Sequence, residues 1–264
     1  MHEIFGILRP GAYVLDLGSR TGSFSSEGLA CTTVCVDAEV PGSHPRLFVA
    51  ARAEALPFRD GQFTAIISNH SLEHFEALPA ALAEIGRVVA RDGYVYAAVP
   101  DSSTVTDRIY RWLGRGGGHV NRFRSPSALS RRLSEKTGLP HAGTRVLGTS
   151  LSFLNRANIP GKRQKLLWLF GGGSERVLRV LTYAFRLLDR MLRTRTCVYG
   201  WAFYFGSGLQ IETATWTNVC VRCGSAHPSA RLRKEGFVAG RAFRCPQCGA
   251  RNYFTRDEKY TFLR

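Results

Sequence analysis

The sequence predicts an α/β fold, a doubly wound, mostly parallel sheet followed by a small C-terminal unit. Three observations lead there. The apolar run Val14 to Leu17 ends in the glycine-bearing turn Gly18-Ser19-Arg20-Thr21-Gly22, and Asp37 closes the next apolar run. Short apolar runs then alternate with stretches at helical spacing. Near the end stand two Cys-x-x-Cys pairs, Cys220/Cys223 and Cys245/Cys248. A chain of 264 residues suits one such domain plus an appendage, and 44% apolar residues can fill a core.

The elements follow in order. Ala12 to Leu17 is the first strand, and a helix is expected after Gly22. A glycine turn at that junction lets a ligand approach the backbone closely. Thr32 to Asp37 is the second strand, and Asp37 can accept hydrogen bonds from ribose hydroxyls. Arg46 to Val49 is a short third strand and Phe63 to Ser68 the fourth. Ligands of such sheets sit beyond the carboxyl ends of the strands, so Asn69 and His70 should face a pocket. His70 either serves as general base for a substrate hydroxyl or packs against the bound ligand. Glu73 and His74 fall on the helix entered there and read as structural. Leu82, Ile85, Val88 and Val89 mark a helix that Arg91-Asp92-Gly93 ends, and Tyr94 to Val99 is the fifth strand. Asp107 to Leu113 is helical, and Gly114 to Gly118 is a loop. Ser125 caps a helix with Pro126 at its first position, which Gly138 closes.

These blocks resemble one family, the class I S-adenosylmethionine-dependent methyltransferases of the small-molecule, type-11-like subgroup. DLGSRTG is similar to their Asp-x-Gly-x-Gly-x-Gly loop at Asp16, Gly18 and Gly22, with Arg20 where the middle glycine is usual. AEALPFRDGQFTAIISNHSLEHF, Ala53 to Phe75, and LAEIGRVVARDGYVYAAVP, Leu82 to Pro100, resemble the segments that follow. The resemblance spans the first 125 residues or so and implies a seven-stranded Rossmann-like sheet. It places Asp16, Gly18, Ser19, Gly22, Asp37, Ala53, Glu54 and Asn69 around the methyl donor S-adenosylmethionine. Relatives carry an acid where this chain has Arg52, which leaves a backbone contact at Ala53. His119 matches a histidine of a loop over the pocket and is a second candidate for substrate contact. Arg145 to Phe153 resembles the sixth strand and Val198 to Phe205 the seventh, with an insertion over about 155–197 where relatives have a tight hairpin.

Within that insertion, Lys162 to Phe170 forms one short helix, and Ser174 caps another that runs to about Arg195. On a helical wheel Val177, Leu178, Val180, Leu181, Ala184, Phe185, Leu187, Leu188, Met191 and Leu192 fill one half. Arg176, Arg179, Arg186, Arg190 and Arg193 fill the other. Such a helix packs inside its own domain, covers the site as a lid, meets a second subunit, or lies in an anionic membrane interface.

A second unit spans 215–256, after a methyltransferase domain over 1–210. Each Cys-x-x-Cys-Gly knuckle can place two sulfurs on one metal ion, and the 21-residue gap between them has room for a β-hairpin. This resembles a zinc ribbon with Cys220, Cys223, Cys245 and Cys248 around a structural zinc ion. Four thiolates close the coordination shell, so the metal is not catalytic.

Charge is uneven. Residues 1–107 carry a net −6 and residues 108–264 a net +22. Such asymmetry points to an anionic partner, whether a membrane surface, RNA or a phosphorylated substrate. No secretory signal or run of about 18 apolar residues is present, and paired cysteines suit a reducing compartment. The expected location is the cytoplasm, with a peripheral place at the inner membrane face as the variant the basic helix allows. Asn69 lacks the Pro-Pro-aromatic sequel of nucleic-acid amino methyltransferases, and no cysteine nucleophile for base-carbon methylation lies nearby. The expected reaction is O-methylation of a small or lipid-linked (glycan) acceptor. The alternatives are rRNA or tRNA methylation, with the basic ribbon gripping RNA, and a non-catalytic cofactor-binding scaffold.

Overall fold

The computed structural model describes residues 3–43, 45, 47–104, 107–108, 118–158 and 172–256. Seven strands form one sheet: β1 (Ala12–Leu17), β2 (Cys31–Asp37), β3 (Phe48–Ala50), β4 (Phe63–Asn69), β5 (Val89–Pro100), β6 (His141–Gly148) and β7 (Val198–Phe205). Their order is β3-β2-β1-β4-β5-β7-β6. The chain reverses direction across the sheet between β1 and β4, where ligands of such folds sit. β1 pairs in parallel with both β2 and β4, and β4 pairs in parallel with β5. Val14, Leu15, Ile66, Ala98 and Val99 are fully buried, as the near-continuous apolar runs of a parallel sheet require.

The expected helix after Gly22 is not formed. Ser23 is drawn back onto Asp16, its N–H and Oγ–H donating to the two carboxylate oxygens at 2.6 and 2.7 Å. Gly28 then takes a left-handed φ of 76°, and β2 starts at Cys31. Residues 23–30 are therefore turns and bends, too short to house a helix. Glu73 and His74 lie on a helix as expected, a single 3-10 turn over Leu72–His74.

Helix α1 (Leu78–Val88) buries Leu78, Ala81, Leu82, Ile85 and Val88 at helical spacing. It ends five residues before Gly93, because β-branched Val89 already takes the extended conformation and pairs with Phe63. Gly93 instead lies within β5, where a side chain would come within 3.0 Å of the Thr64 carbonyl. Helix α2 (Pro126–Thr137) has the expected ends: Ser125 Oγ accepts from Ala128 N, and Gly138 is left-handed. Gly86 of α1 faces α2 so closely that a Cβ would lie 1.9 Å from the Lys136 carbonyl oxygen.

The sixth strand is His141–Gly148, not 145–153. A side chain at Gly148 would collide with the Trp216 backbone, and Ser150 opens a 3-10 turn, Leu151–Leu154. Helix α3 (Glu175–Leu192) occupies the insertion, and Ser174 begins it without a side-chain cap bond. The helix expected over 162–170 lies outside the described residues, as does most of that expected over 107–113 and the loop 114–117.

In the cysteine unit, strands β8 (Asn218–Val219) and β9 (Ala226–His227) form one antiparallel hairpin. Strands β10 (Ala242–Arg244) and β11 (Arg251–Tyr253) form the other. Each knuckle is the turn of its own hairpin. The gap between knuckles holds a short helix, α4 (Ser229–Lys234), rather than a hairpin, because Leu232 anchors it against Phe243 and Phe254.

The chain divides into two compact units. One comprises residues 1–102, 118–144 and 201–212; the other comprises 103–117, 145–200 and 213–264. The second unit thus groups α3 with the cysteine hairpins.

Candidate active site and cysteine centre

The carboxyl ends of β1, β2 and β4 set the site in the first unit. Gly18 has φ 70°, and its N–H donates to the Val36 carbonyl at 2.7 Å. A Cβ there would lie 2.4 Å from the Cβ of Ser71. Ser71 is itself tied down, its Oγ donating to the Leu17 carbonyl at 2.8 Å and meeting Ser68 Oγ at 2.6 Å. Gly22 has φ 104° and open space where a side chain would be. Arg20 adopts φ 47°, so it keeps the backbone turn that a glycine supplies, at a cost of roughly 1–2 kcal/mol. Its side chain points to Glu39 at 2.9 Å, an exposed pair.

Asp37 ends β2, and its carboxylate oxygens accept from Arg20 N and Glu39 N, each at 3.1 Å. A carboxylate has lone pairs for further donors, so ribose hydroxyls fit there. Buried Asp16 holds the turn through Ser23, and desolvation raises its pKa above the ordinary carboxyl value against the pull of those hydrogen bonds. Ser19 and Gly22 lie in the same turn, closed by Gly22 N donating to Ser19 O at 2.8 Å. Ala53 is buried and offers backbone only. Glu54 accepts from Ala77 N at 3.2 Å and faces Arg52 at 3.5 Å, so much of its carboxylate already serves the fold. Arg52 reaches Glu76 at 2.8 Å, which turns its charge toward acidic neighbours. An open Gly22, a left-handed glycine turn and an acid at the end of β2 together fit a bound nucleoside with an amino-acid tail.

Asn69 ends β4. His70 follows with φ 57°, a strained left-handed position, pinned by its N–H donating to the Ala98 carbonyl at 2.9 Å. Its ring keeps 28% exposure and lies 3.9 Å from Glu73 Oε1. Desolvation, then the neighbouring His119 and His74, push its pKa down to about 4, so the ring is neutral near pH 7. The loop at 118–121 closes over this turn. Val120 N and Asn121 N donate to the Glu73 carbonyl at 2.9 and 3.0 Å, and Asn121 Nδ2 donates to the carbonyls of Leu72 and Phe75. His119 stacks edge-on against His74 with ring centroids 4.9 Å apart, and His74 Nδ1 meets the Gly118 carbonyl at 3.1 Å.

The structure therefore brings both sequence candidates, His70 and His119, into one cluster. It adds Glu73 and His74, whose ligand atoms together with His119 lie within 4.8 Å of one another, donor types that could also hold a divalent cation. Sequence reasoning missed Ser71, the counterpart of Gly18, and Asn121, which clamps the loop. The Asn121 side chain in His119-Val120-Asn121 was the available signal, since Asn commonly satisfies loop carbonyls.

In the second unit, Cys220, Cys223, Cys245 and Cys248 bring their sulfurs together. Cys220–Cys248 and Cys223–Cys245 are 3.6 and 3.7 Å apart. Four sulfurs at about 2.3 Å from a tetrahedral ion would be roughly 3.8 Å apart, so the set fits a four-thiolate metal. Arg222 N and Asn252 Nδ2 donate to Cys220 Sγ at 3.4 and 3.5 Å, contacts that suit thiolates.

Comparison with known proteins identifies the family of the chain. The profile of a family described as "Methyltransferase domain" matches residues 1–140. A malonyl-[acyl-carrier protein] O-methyltransferase of Halorhodospira halophila is 28% identical over 226 residues, covering 73% of this chain and 74% of that protein. Among solved structures, MccD protein is similar with a TM-score of 0.50 and 16% identity, over 76% of this chain and 92% of that one. A SAM-dependent methyltransferase from Archaeoglobus fulgidus gives 0.49 and 19%, over 75% and 86%.

Proposed function

The chain belongs to the methyltransferase-domain family, and from that premise we propose that it methylates an oxygen of a small or lipid-linked acceptor. It is a class I S-adenosylmethionine-dependent methyltransferase, and the acceptor is what the site has to supply. The observation that carries the reading is the cluster of His70, Glu73, His74 and His119 beside the glycine turn. A neutral imidazole there accepts a hydroxyl proton as the oxygen–methyl bond forms and the sulfur–methyl bond breaks. S-adenosylmethionine supplies the electrophilic methyl group. Asp37, the Gly18–Gly22 turn and the Ala53 backbone hold and orient it, and His70, set on a strained and pinned residue, takes the proton. The name of the Halorhodospira relative, an O-methyltransferase, supports oxygen as the acceptor atom.

In the second unit we infer one structural zinc ion on the four cysteines, which fits their spacing and closed coordination. The exposed Arg231, Arg233, Lys234, Arg241, Arg244 and Arg251 of that unit favour a second reading, RNA methylation.

Incubation with methyl-labelled S-adenosylmethionine plus cell lipid extract, low-mass extract or total RNA separates the two. Label in the lipid or low-mass fraction supports the O-methylation reading, and label confined to RNA overturns it. His70→Ala should lower the labelling rate by about 100-fold with cofactor affinity unchanged.

A further inference from the structure

Helix α3 packs inward through Leu178, Leu181 and Phe185, which meet Leu151, Leu154 and Val221. Polar residues beside them face inward too. Asp189 accepts from Thr194 Oγ1, Thr196 N and Cys197 N at 2.6 to 2.8 Å. Arg186, 2% exposed, donates from Nη2 to the Val219 carbonyl at 3.0 Å. Thr182 Oγ1 accepts from Leu151 N, and Glu175 pairs with Arg222. Arg186, which the wheel groups with the other arginines, is therefore buried. These bonds and the packing of Leu178, Leu181 and Phe185 fix the helix in rotation.

A stripe of other apolar residues is left facing out. Val177, Val180, Leu188, Met191 and Leu192 are 38, 54, 45, 77 and 65% exposed. At about 100° per residue these five, with Ala184 and Leu187 between them, sweep one side of the helix without a charge among them. Arg176 lies at one border of the stripe with Arg190 beyond it, while Arg179 turns its guanidinium over the Tyr253 ring. A contiguous exposed apolar face of this kind marks an interaction surface.

We propose that this face seats in the interfacial layer of an anionic lipid bilayer, apolar side chains down and the bordering arginines among the headgroups. Charge decides the occupant. Residues 108–264 carry a net +22, so a second copy would bring like charge against like, whereas an anionic surface complements it. RNA offers phosphates and bases, for which valine, leucine and methionine have no donors or rings. Among the described residues no helix is long and apolar enough to cross a membrane, so the helix would lie in the interface plane. This docking stands whichever acceptor oxygen is methylated.

Flotation of the full, zinc-loaded chain on phosphatidylcholine vesicles, with and without phosphatidylglycerol, tests it. The wild type should float with the anionic vesicles and far less with the neutral ones. The double variant Leu188→Glu/Met191→Glu should cut the floated fraction about ten-fold, with thermal unfolding and S-adenosylhomocysteine binding unchanged. Failure of the wild type to float, or flotation of the variant, overturns the proposal. So does a light-scattering mass that falls from dimer to monomer in the variant, which would assign the face to a second copy. A large loss of stability in the variant would assign it to the chain's own residues and overturn the proposal equally. Cofactor binding is read separately, so a failed flotation leaves the catalytic reading intact.

Discussion

Gly18→Ala tests how tightly the glycine turn is built. At φ 70° any side chain costs roughly 1–2 kcal/mol in backbone strain. The new Cβ would also sit 2.4 Å from the Cβ of Ser71, which hydrogen bonds to Leu17 and Ser68 keep from retreating. Forcing atoms into such a space costs about 1–3 kcal/mol. The substitution should therefore destabilise the protein by about 2–5 kcal/mol in urea titrations followed by circular dichroism. Introduced beside Ser71→Gly, which removes the colliding carbon, the same change should cost only the strain, about 1–2 kcal/mol. The double-mutant cycle thus predicts a coupling of about 1–3 kcal/mol. Additive effects, or a Gly18→Ala cost below about 0.5 kcal/mol, would refute the packing of the turn against Ser71.

Other perturbations have equally definite outcomes. Purified chain should hold one zinc ion, and Cys245→Ser or a strong chelator should abolish it and unfold the hairpins; stoichiometry near zero by elemental analysis contradicts this. Arg87 donates to the carbonyls of Leu56 and Phe58 and to Glu84 and Asp60, so Arg87→Met should loosen the segment around Ala53 and weaken S-adenosylhomocysteine binding about ten-fold by calorimetry. Arg87 holds the Glu84 carboxyl below its ordinary value of 4.5, so its contribution is complete above that pH and is lost as pH falls through the lower folded value. Acid titration of stability should consequently be shallower in Arg87→Met than in wild type. Asp189→Ala leaves the N–H groups of Thr196 and Cys197 without an acceptor and should cost about 2–4 kcal/mol in the same urea assay.

Much of this architecture was legible because it is local. β1 has the bounds read from its apolar run, β7 has those the family resemblance implies, and Ser125, Pro126 and Gly138 mark the ends of α2 as their backbone chemistry dictates. The cysteine pairs were equally plain, since each Cys-x-x-Cys turn sets its own two sulfurs without tertiary context. What failed was decided by distant contacts. The helix after Gly22 lost to the Ser23 bonds with Asp16, and α1 stopped early because Val89 pairs with Phe63. The wheel of α3 separates apolar residues from arginines, but Leu178, Leu181 and Phe185 of the apolar half pack inward, and Arg186 of the other half is buried. Periodicity shows which residues share a side, not which side faces in; the hydrogen bonds of Asp189, Arg186 and Thr182 decide that. In the site, His70 and His119 were readable as candidates, but their convergence depends on the Asn121 clamp.

Calorimetric titration with S-adenosylhomocysteine tests the central claim most directly, that the turn at Gly18–Gly22 and the acid at Asp37 hold the methyl donor. The wild type should bind one equivalent per chain, and Asp37→Ala should weaken binding at least about ten-fold through the lost hydroxyl acceptor. Absence of binding by a folded, zinc-loaded wild type, or equal affinity in Asp37→Ala, would contradict it.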